Sequence, residues 1–262
     1  MRRFRLVAEY DGTDFAGFQV QAPGLRTVQG ELEAAIKRLA GEARVHGAGR
    51  TDAGVHAAGQ VVHFDTDWSV PVGRIAYALN GELPRDVVVT DAQVVDATFH
   101  ARFSATARTY RYTIWRGEHR SPLCDRLAWH VRTPLDETAM RAAARELTGT
   151  HDYGAFGQPD EVGKSTVRHM FEWTFDGAAD FSHITVRGNA FLRSQVRAFV
   201  GTLAQVGLAK LSVRDVVRIR ESRDRTQCPS IAPARGLTLW RVHYDGTRMT
   251  GANGEPADPH AM

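Results

Sequence analysis

The chain has only two cysteines, Cys124 and Cys228, far apart and not in a CxxC pair. That excludes a disulfide framework and leaves a cysteine-rich zinc site without ligands. No segment supplies the roughly 18 uninterrupted apolar residues of a membrane span. The apolar run in the opening "MRRFRLVAEYDG" is broken by Glu9 and Asp11, so no secretory leader is indicated. A reducing cytoplasm and no membrane partner are the expectation. Extremes of composition are missing too: 43% hydrophobic and 24% charged residues describe an ordinary globular chain. At 262 residues it can build two cores of about 100 residues each, the usual domain size.

Lysine is scarce, with three against thirty arginines, and the net charge is only +3. The placement of the arginines says more than the total. Between Thr98 and Arg132 stand Arg102, Arg108, Arg111, Arg116, Arg120, Arg126 and Arg132 against Glu118 and Asp125, with tyrosines and tryptophans among them. Such a stretch has the character of a nucleic-acid surface. An arginine-favouring codon usage with solvated side chains is the plain alternative.

Periodicity organises the chain into two similar halves. In "RRFRLVAEYDG" Phe4, Leu6, Ala8 and Tyr10 alternate with Arg3, Arg5, Val7 and Glu9, the pattern of a half-buried strand. From Thr27 the spacing of Val28, Leu32, Ala35, Ile36 and Leu39 predicts a helix capped by Thr27 and stopped by Gly41. Extended pieces "ARVHGAGR" and "GQVVHFDTD", a helix from about Pro71 to Asn80 and the strand "DVVVTDAQVVD" complete a βαββαβ unit, the ferredoxin-like order. The order recurs with "RTYRYTIWRG", "DETAMRAAARELTG", "VRHMFEWTF", "DFSHITVRG", "FLRSQVRAFVGTLAQVG" and "GLTLWRVHYDG", plus one added helix, "SVRDVVRIRESRD". The expected architecture is α+β: two ferredoxin-like units, 1–104 and 105–245, whose strands merge into a continuous, mainly antiparallel sheet with helices on one face. Residues 246–262, rich in Gly and Pro, read as a disordered tail.

One stretch resists routine assignment. "GAGRTDAGVHAAGQVVHF", residues 47–64, sets Arg50 and Asp52 in a glycine-rich run leading into an apolar strand. A P-loop needs glycine where Arg44 stands, and a dinucleotide fingerprint needs one where Asp52 stands. Gly47, Gly49 and Gly54 would let the backbone approach a ligand closely. A metal bound by Asp52 with His46, His56 and His63 is disfavoured, because the glycine content is incompatible with helical histidine spacing. A structural Asp–Arg ion pair is the plain reading. General base and covalent nucleophile remain, and an aspartate near a pKa of about 3.9 is a weak base at neutral pH but a serviceable nucleophile.

The block "GRTDAGVHA", together with "YDGTDFAGFQVQ", "ALNGELPRDVVV", "FHARFSATARTYRY" and "NAFLRSQVRAFVG", closely resembles the TruA-type tRNA pseudouridine synthases, in order from Phe4 to Asp245. The resemblance implies the pseudouridine synthase fold and isomerisation of uridine to pseudouridine at positions 38–40 in the anticodon stem-loop of tRNA. It also implies a homodimer that needs no cofactor or metal. It makes Asp52 the nucleophile, Tyr110 the residue that contacts the target base, and Arg197 the basic partner of the nucleophile. Arg50 would pair with Asp52 at rest and fill the vacated stack or hold a phosphate when RNA is bound. Arg102, Arg108, Lys164 and Arg168 are candidate phosphate contacts. Taken without the resemblance, Tyr110 reads equally as a core aromatic alternating with Tyr112, and Arg197 as a solvated helix arginine. The chain departs from the family pattern at Phe18, often tryptophan, and at Arg193–Gln195. Two other classes stay open: an RNA-binding module without activity, and a glycosyl hydrolase pairing Asp52 with Asp11 or Asp14.

Overall fold

The computed structural model describes residues 1–159 and 163–246, so the expected disordered tail lies outside the described residues apart from Gly246. The chain divides into two compact units, Met1–Ala105 with Thr238–Tyr244, and Thr106–Leu237 with the segment from Asp245. Among the described residues no helix is long and apolar enough to cross a membrane.

The first unit contains β1 (Arg2–Tyr10), α1 (Val28–Ala40), β2 (His46–Gly47), β3 (His56–Thr66), α2 (Val72–Glu82) and β4 (Val87–Val95). This is the βαββαβ order read from periodicity. β1 lies between β4 and β3, antiparallel to both, and β2 pairs antiparallel with β3. Phe4, Leu6, Ala8 and Tyr10 are buried as the alternation requires, and they face Phe64, Val62 and Gln60 in register. Leu32, Ala35 and Ile36 of α1 and Ile75 and Leu79 of α2 complete this core. Burying each of the larger side chains contributes about 1.5–3 kcal/mol. Thr27 caps α1, its Oγ1 accepting from Gly30 N at 3.2 Å, and Gly41 ends it at φ 81°.

The opposite face of this sheet is covered by the segment after β4. Arg3 holds Asp65 through two hydrogen bonds of 2.7 and 2.6 Å and donates to the carbonyls of Ala97 and Phe99. Ala101 N donates to His63 Nδ1 at 3.1 Å, and Tyr244 Oη to Ala101 O at 2.8 Å. The "FHARFSA" stretch is thus docked by side chains at sites that periodicity does not mark.

The second unit contains β5 (Ala107–Trp115), β6 (Trp129–His130), α3 (Glu137–Arg145), β7 (Gly149–Asp152), β8 (Val167–Asp176), β9 (Phe181–Gly188), α4 (Gln195–Gly207) and α5 (Val213–Ser222). β5, β9, β8 and β7 follow one another antiparallel, and β6 adds a short parallel pairing to β5. α4 is buried almost all round, as fits a core helix. Its Phe199 is in ring contact with Tyr153, Phe156 and Trp173 at centroid distances of 5.3, 4.9 and 5.4 Å. The added helix α5 is closed by a capping box between Ser212 and Asp215.

The closing strand β10 (Leu237–His243) is the last element of the second series in chain order. Its Thr238 and Leu239 pair in parallel with His56 and Ala57 of β3, and Thr238–Tyr244 clusters with the first unit. Strand type is legible in its alternation, and the parallel pairing with β3 is not.

Candidate active site

Asp52 sits in a short loop between β2 and β3, and the loop is fixed residue by residue. Its entry is a continuation of the β2–β3 ladder, with Ala48 N donating to Val61 O at 2.8 Å. One step further, where the register brings Gly49 opposite Gln60, the Gln60 side chain takes over. Nε2 donates to Gly49 O at 2.8 Å and Oε1 accepts from Gly49 N at 3.3 Å. Gln60 is fully buried among apolar neighbours, where an amide is tolerated only if its hydrogen bonds are made.

Arg50 follows and is exposed. Thr51 is then buried and held twice: its Oγ1 is 2.8 Å from Tyr10 Oη, and its carbonyl accepts from Phe18 N at 3.1 Å. Gln60 Nε2 is also within 3.4 Å of Tyr10 Oη. Burial pushes the Tyr10 hydroxyl up to about 12, with the bonds to Thr51 and Gln60 offsetting part of the effect, so it stays a neutral donor through the physiological range. Asp52, half-buried, starts a turn closed by Val55 N on Asp52 O at 3.1 Å, and Gly54 supplies the positive φ of 75°.

The loop leans on the segment Asp11–Phe18. Gly12 N donates to His56 Nδ1 at 3.0 Å, and Asp11 Oδ1 lies 3.2 Å from the same nitrogen. Asp11 Oδ1 accepts from Thr13 N and Thr13 Oγ1 at 3.0 and 2.6 Å, a turn-forming role. Phe18 is buried with its ring against Gly47, where a Cβ would come within 2.4 Å of Cε1. The glycines thus have internal reasons. Gly47 makes room for Phe18, Gly54 supplies a turn, and Gly49 is gripped by Gln60.

The remaining sequence-derived candidates lie in the second unit or at the edge of the first. Tyr110 is on β5, buried, on the same face as Tyr112, with Phe191 edge-on at 5.1 Å. Phe191 belongs to the segment entering α4. Arg197, half-buried near the start of α4, exchanges two hydrogen bonds with Ala232: Nε to Ala232 O at 2.8 Å and Ala232 N to Arg197 O at 3.0 Å. Tyr112 Oη donates to the adjoining Pro233 O at 2.8 Å, and its burial pushes the phenol well above its usual range. Segment 232–233 therefore ties β5 to α4.

Arg108 is buried and donates to Asn189 O at 3.0 Å. Arg168 donates to Ser165 O and Val167 O at 2.8 and 2.7 Å. Lys164 and Arg102 are exposed, and the Arg102 guanidinium is 5.9 Å from the Phe103 ring centroid. The departure at Arg193–Gln195 forms a tight turn: Arg193 pairs with Gln158, Ser194 takes φ 59°, and Gln195 Oε1 accepts from Leu192 N at 2.7 Å.

Among the described residues no group of three or more His, Cys, Asp or Glu side chains is arranged to hold a metal. His46 and His63 stack with centroids 4.9 Å apart, and His56 is bonded to Gly12. Sequence reading missed Gln60 and Tyr10. The available signal was a glutamine at an inward position of the apolar strand "GQVVHF", in phase with Val62 and Phe64.

Comparison with known proteins adds an independent line. Residues 6–104 and 143–245 match the family described as tRNA pseudouridine synthase. The chain is 45% identical over 245 residues to "tRNA pseudouridine synthase A" of Brevibacillus brevis, covering 93% of this chain and 100% of that one. It is 43% identical to the protein of that name from Latilactobacillus sakei, covering 93% and 99%. With the Halalkalibacterium halodurans protein, also so named, it shares 44% identity, covering 95% of each.

Proposed function

We propose that this chain, which belongs to the tRNA pseudouridine synthase family, isomerises uridine at positions 38–40 in the anticodon stem-loop of tRNA, with Asp52 as nucleophile. Membership makes it an enzyme that isomerises uridine in tRNA; the positions and the residue roles are the finer reading. The observation that carries it is the loop itself. One half-buried carboxylate follows an exposed arginine, between residues whose backbone is held on both sides.

The reaction breaks the bond from uracil N1 to ribose C1′ and joins C5 to C1′. The C5 proton is lost and N1 gains one, so atoms balance with no redox step. A carboxylate can attack C1′ or C6, or support elimination across the sugar, and all three use Asp52 ionised. The target base must leave its stack, at a cost of a few kcal/mol. Arg50, exposed, suits filling that gap or holding a phosphate. Tyr110 offers a ring for the flipped base, worth roughly 1–3 kcal/mol of stacking. Arg197, its Nε anchored to Ala232 O, is assigned to keeping the nucleophile ionised. Arg102, Arg108, Lys164 and Arg168 are assigned to the RNA backbone, with Arg102 and Lys164 favoured by their exposure. The active species in this reading is a homodimer.

Incubating the protein with unmodified tRNA and analysing its nucleosides tests the activity and maps the uridines. Pseudouridine is expected at 38–40, whereas free uracil would mean a hydrolase and unchanged tRNA a binding module. Asp52→Asn keeps size and removes charge, so turnover should fall to background while tRNA binding survives. Pseudouridine formation by that variant at even a few per cent of the parental rate overturns the assignment.

A further inference from the structure

We infer that Gln60 and Tyr10 are positioning residues that set the Asp52 carboxylate through the backbone of Gly49 and the side chain of Thr51. The inference rests on Asp52 being the nucleophile. Gln60 binds both backbone polar groups of Gly49, and Tyr10 binds Thr51 Oγ1, so Arg50 is bracketed and Asp52 is approached from a fixed side.

Three features separate this arrangement from ordinary core packing. First, Gln60 stands where the strand's alternation calls for an apolar residue, at 0% exposure in phase with Val62 and Phe64. A leucine would fill the space without an amide's desolvation cost. Second, the amide makes both of its short backbone bonds to a loop residue, Gly49. It extends the β2–β3 ladder one rung past the point where backbone pairing stops. Third, Gln60 Nε2 reaches both Gly49 O and Tyr10 Oη, so the two anchors form one network under residues 49–51. A site that must hold geometry to within about half an ångström needs such support, and a displacement of about 1 Å can cost 10²-fold in rate.

Gln60→Glu gives a diagnostic readout. As a carboxylate the new side chain cannot donate to Gly49 O and repels it. Once protonated, its hydroxyl can donate to Gly49 O while its carbonyl accepts from Gly49 N, restoring the pair. Burial raises a carboxyl's pKa above the reference value of about 4.3, bringing protonation within an accessible range. Single-turnover rates and tRNA binding would be measured from pH 5.5 to 8.5 for the parent, Gln60→Glu, Tyr10→Phe and Asp52→Asn. At pH 8, Gln60→Glu is expected to lose ~10²-fold in rate with tRNA affinity within about threefold of the parent, and to recover relative to the parent as pH falls. A merely structural glutamine would lose rate and binding together, without the pH-dependent recovery. Tyr10→Phe keeps the ring and removes the Thr51 anchor, so a loss of ~10-fold in rate with binding unchanged is expected.

If Gln60→Glu matches the parent across the range while Asp52→Asn is inactive, the positioning inference is overturned and the nucleophile stands. If Asp52→Asn is active, the nucleophile reading fails first, and the inference falls with it. Should Gln60→Glu fail to fold, Tyr10→Phe decides: parental rate overturns the inference, and slowed chemistry with intact binding supports it.

Discussion

Gly12→Ala adds one methyl group some distance along the chain from Asp52, and the structure gives its cost. A Cβ at Gly12 would stand 2.0 Å from Val55 O, 2.5 Å from Val55 C and 3.2 Å from His56 N. Ordinary contact begins near 3.4 Å, so the two backbones must part by about 1.4 Å (3.4 − 2.0). The obstacle is backbone, and no rotamer change relieves it. Gly12 is pinned through its N–H to His56 Nδ1 at 3.0 Å, and Asp11 N to Asp86 O at 3.0 Å, so the strain falls on the 52–56 turn as well. Overpacking costs about 1–3 kcal/mol, and orphaning the Gly12 donor about 1–3 kcal/mol more, giving about 2–6 kcal/mol in all. Val55 N bonds to Asp52 O, so a shift of Val55 carries Asp52 with it, and a displacement near 1 Å lowers the rate by about 10²-fold. Urea denaturation gives the stability change, and single-turnover conversion of unmodified tRNA gives the rate. A Gly12→Ala protein within about 0.5 kcal/mol and a factor of about two of the parent would refute the argument that this contact fixes the catalytic turn.

At Tyr110 the two roles of one side chain separate. If the ring is only a platform, Tyr110→Phe keeps its rate and Tyr110→Ala loses it, whereas a hydroxyl used in C5 proton transfer makes Tyr110→Phe slower by roughly 10²- to 10⁴-fold with binding unchanged. We expect the loss, and single-turnover rates on one tRNA decide. Arg102→Gln should weaken tRNA binding and reduce the slope of log K against log salt by about one, so an unchanged slope removes Arg102 from the phosphate contacts. Burial, reinforced by His100 and His46, lowers His63 from 6.5 to about 4. Because the folded pKa is the lower one, the unfolded chain binds the extra proton, and stability falls as pH drops from about 6.5 to 4, by about 3 kcal/mol at most. In His63→Asn, where Oδ1 can still accept from Ala101 N, urea midpoints between pH 7 and 4.5 should fall less steeply than in the parent.

The sequence made the elements legible wherever side chains alternate against one core. β1 and α1, with its Thr27 cap and Gly41 stop, follow from periodicity alone, because burial there has a single period. β6 and β7, of two and four residues, are too short for a period to register. The placement of β10 beside β3 rests on a pairing between strands far apart in the chain, which local pattern does not encode. At the candidate site, Asp52 and Arg50 stood out because a charged pair in a glycine run is unusual. Tyr10 did not, since its alternation with Ala8 and Leu6 already accounted for it, and nothing local distinguishes a core tyrosine from one whose hydroxyl holds a loop.

The same geometry explains why this glycine-rich run carries an acid. In a phosphate-binding loop, glycines leave backbone N–H groups turned outward to meet anionic oxygens. Here four of the N–H groups are directed inward: Ala48 to Val61 O, Gly49 to Gln60 Oε1, Gly54 to Phe15 O and Val55 to Asp52 O. These four donors are consumed by the fold and are not available to a phosphate. What the run offers instead is a rigid mount for the one carboxylate at its turn. Rigidity of that kind suits covalent chemistry on a flipped base, where the nucleophile must meet a single atom and remain in place while the freed uracil rotates.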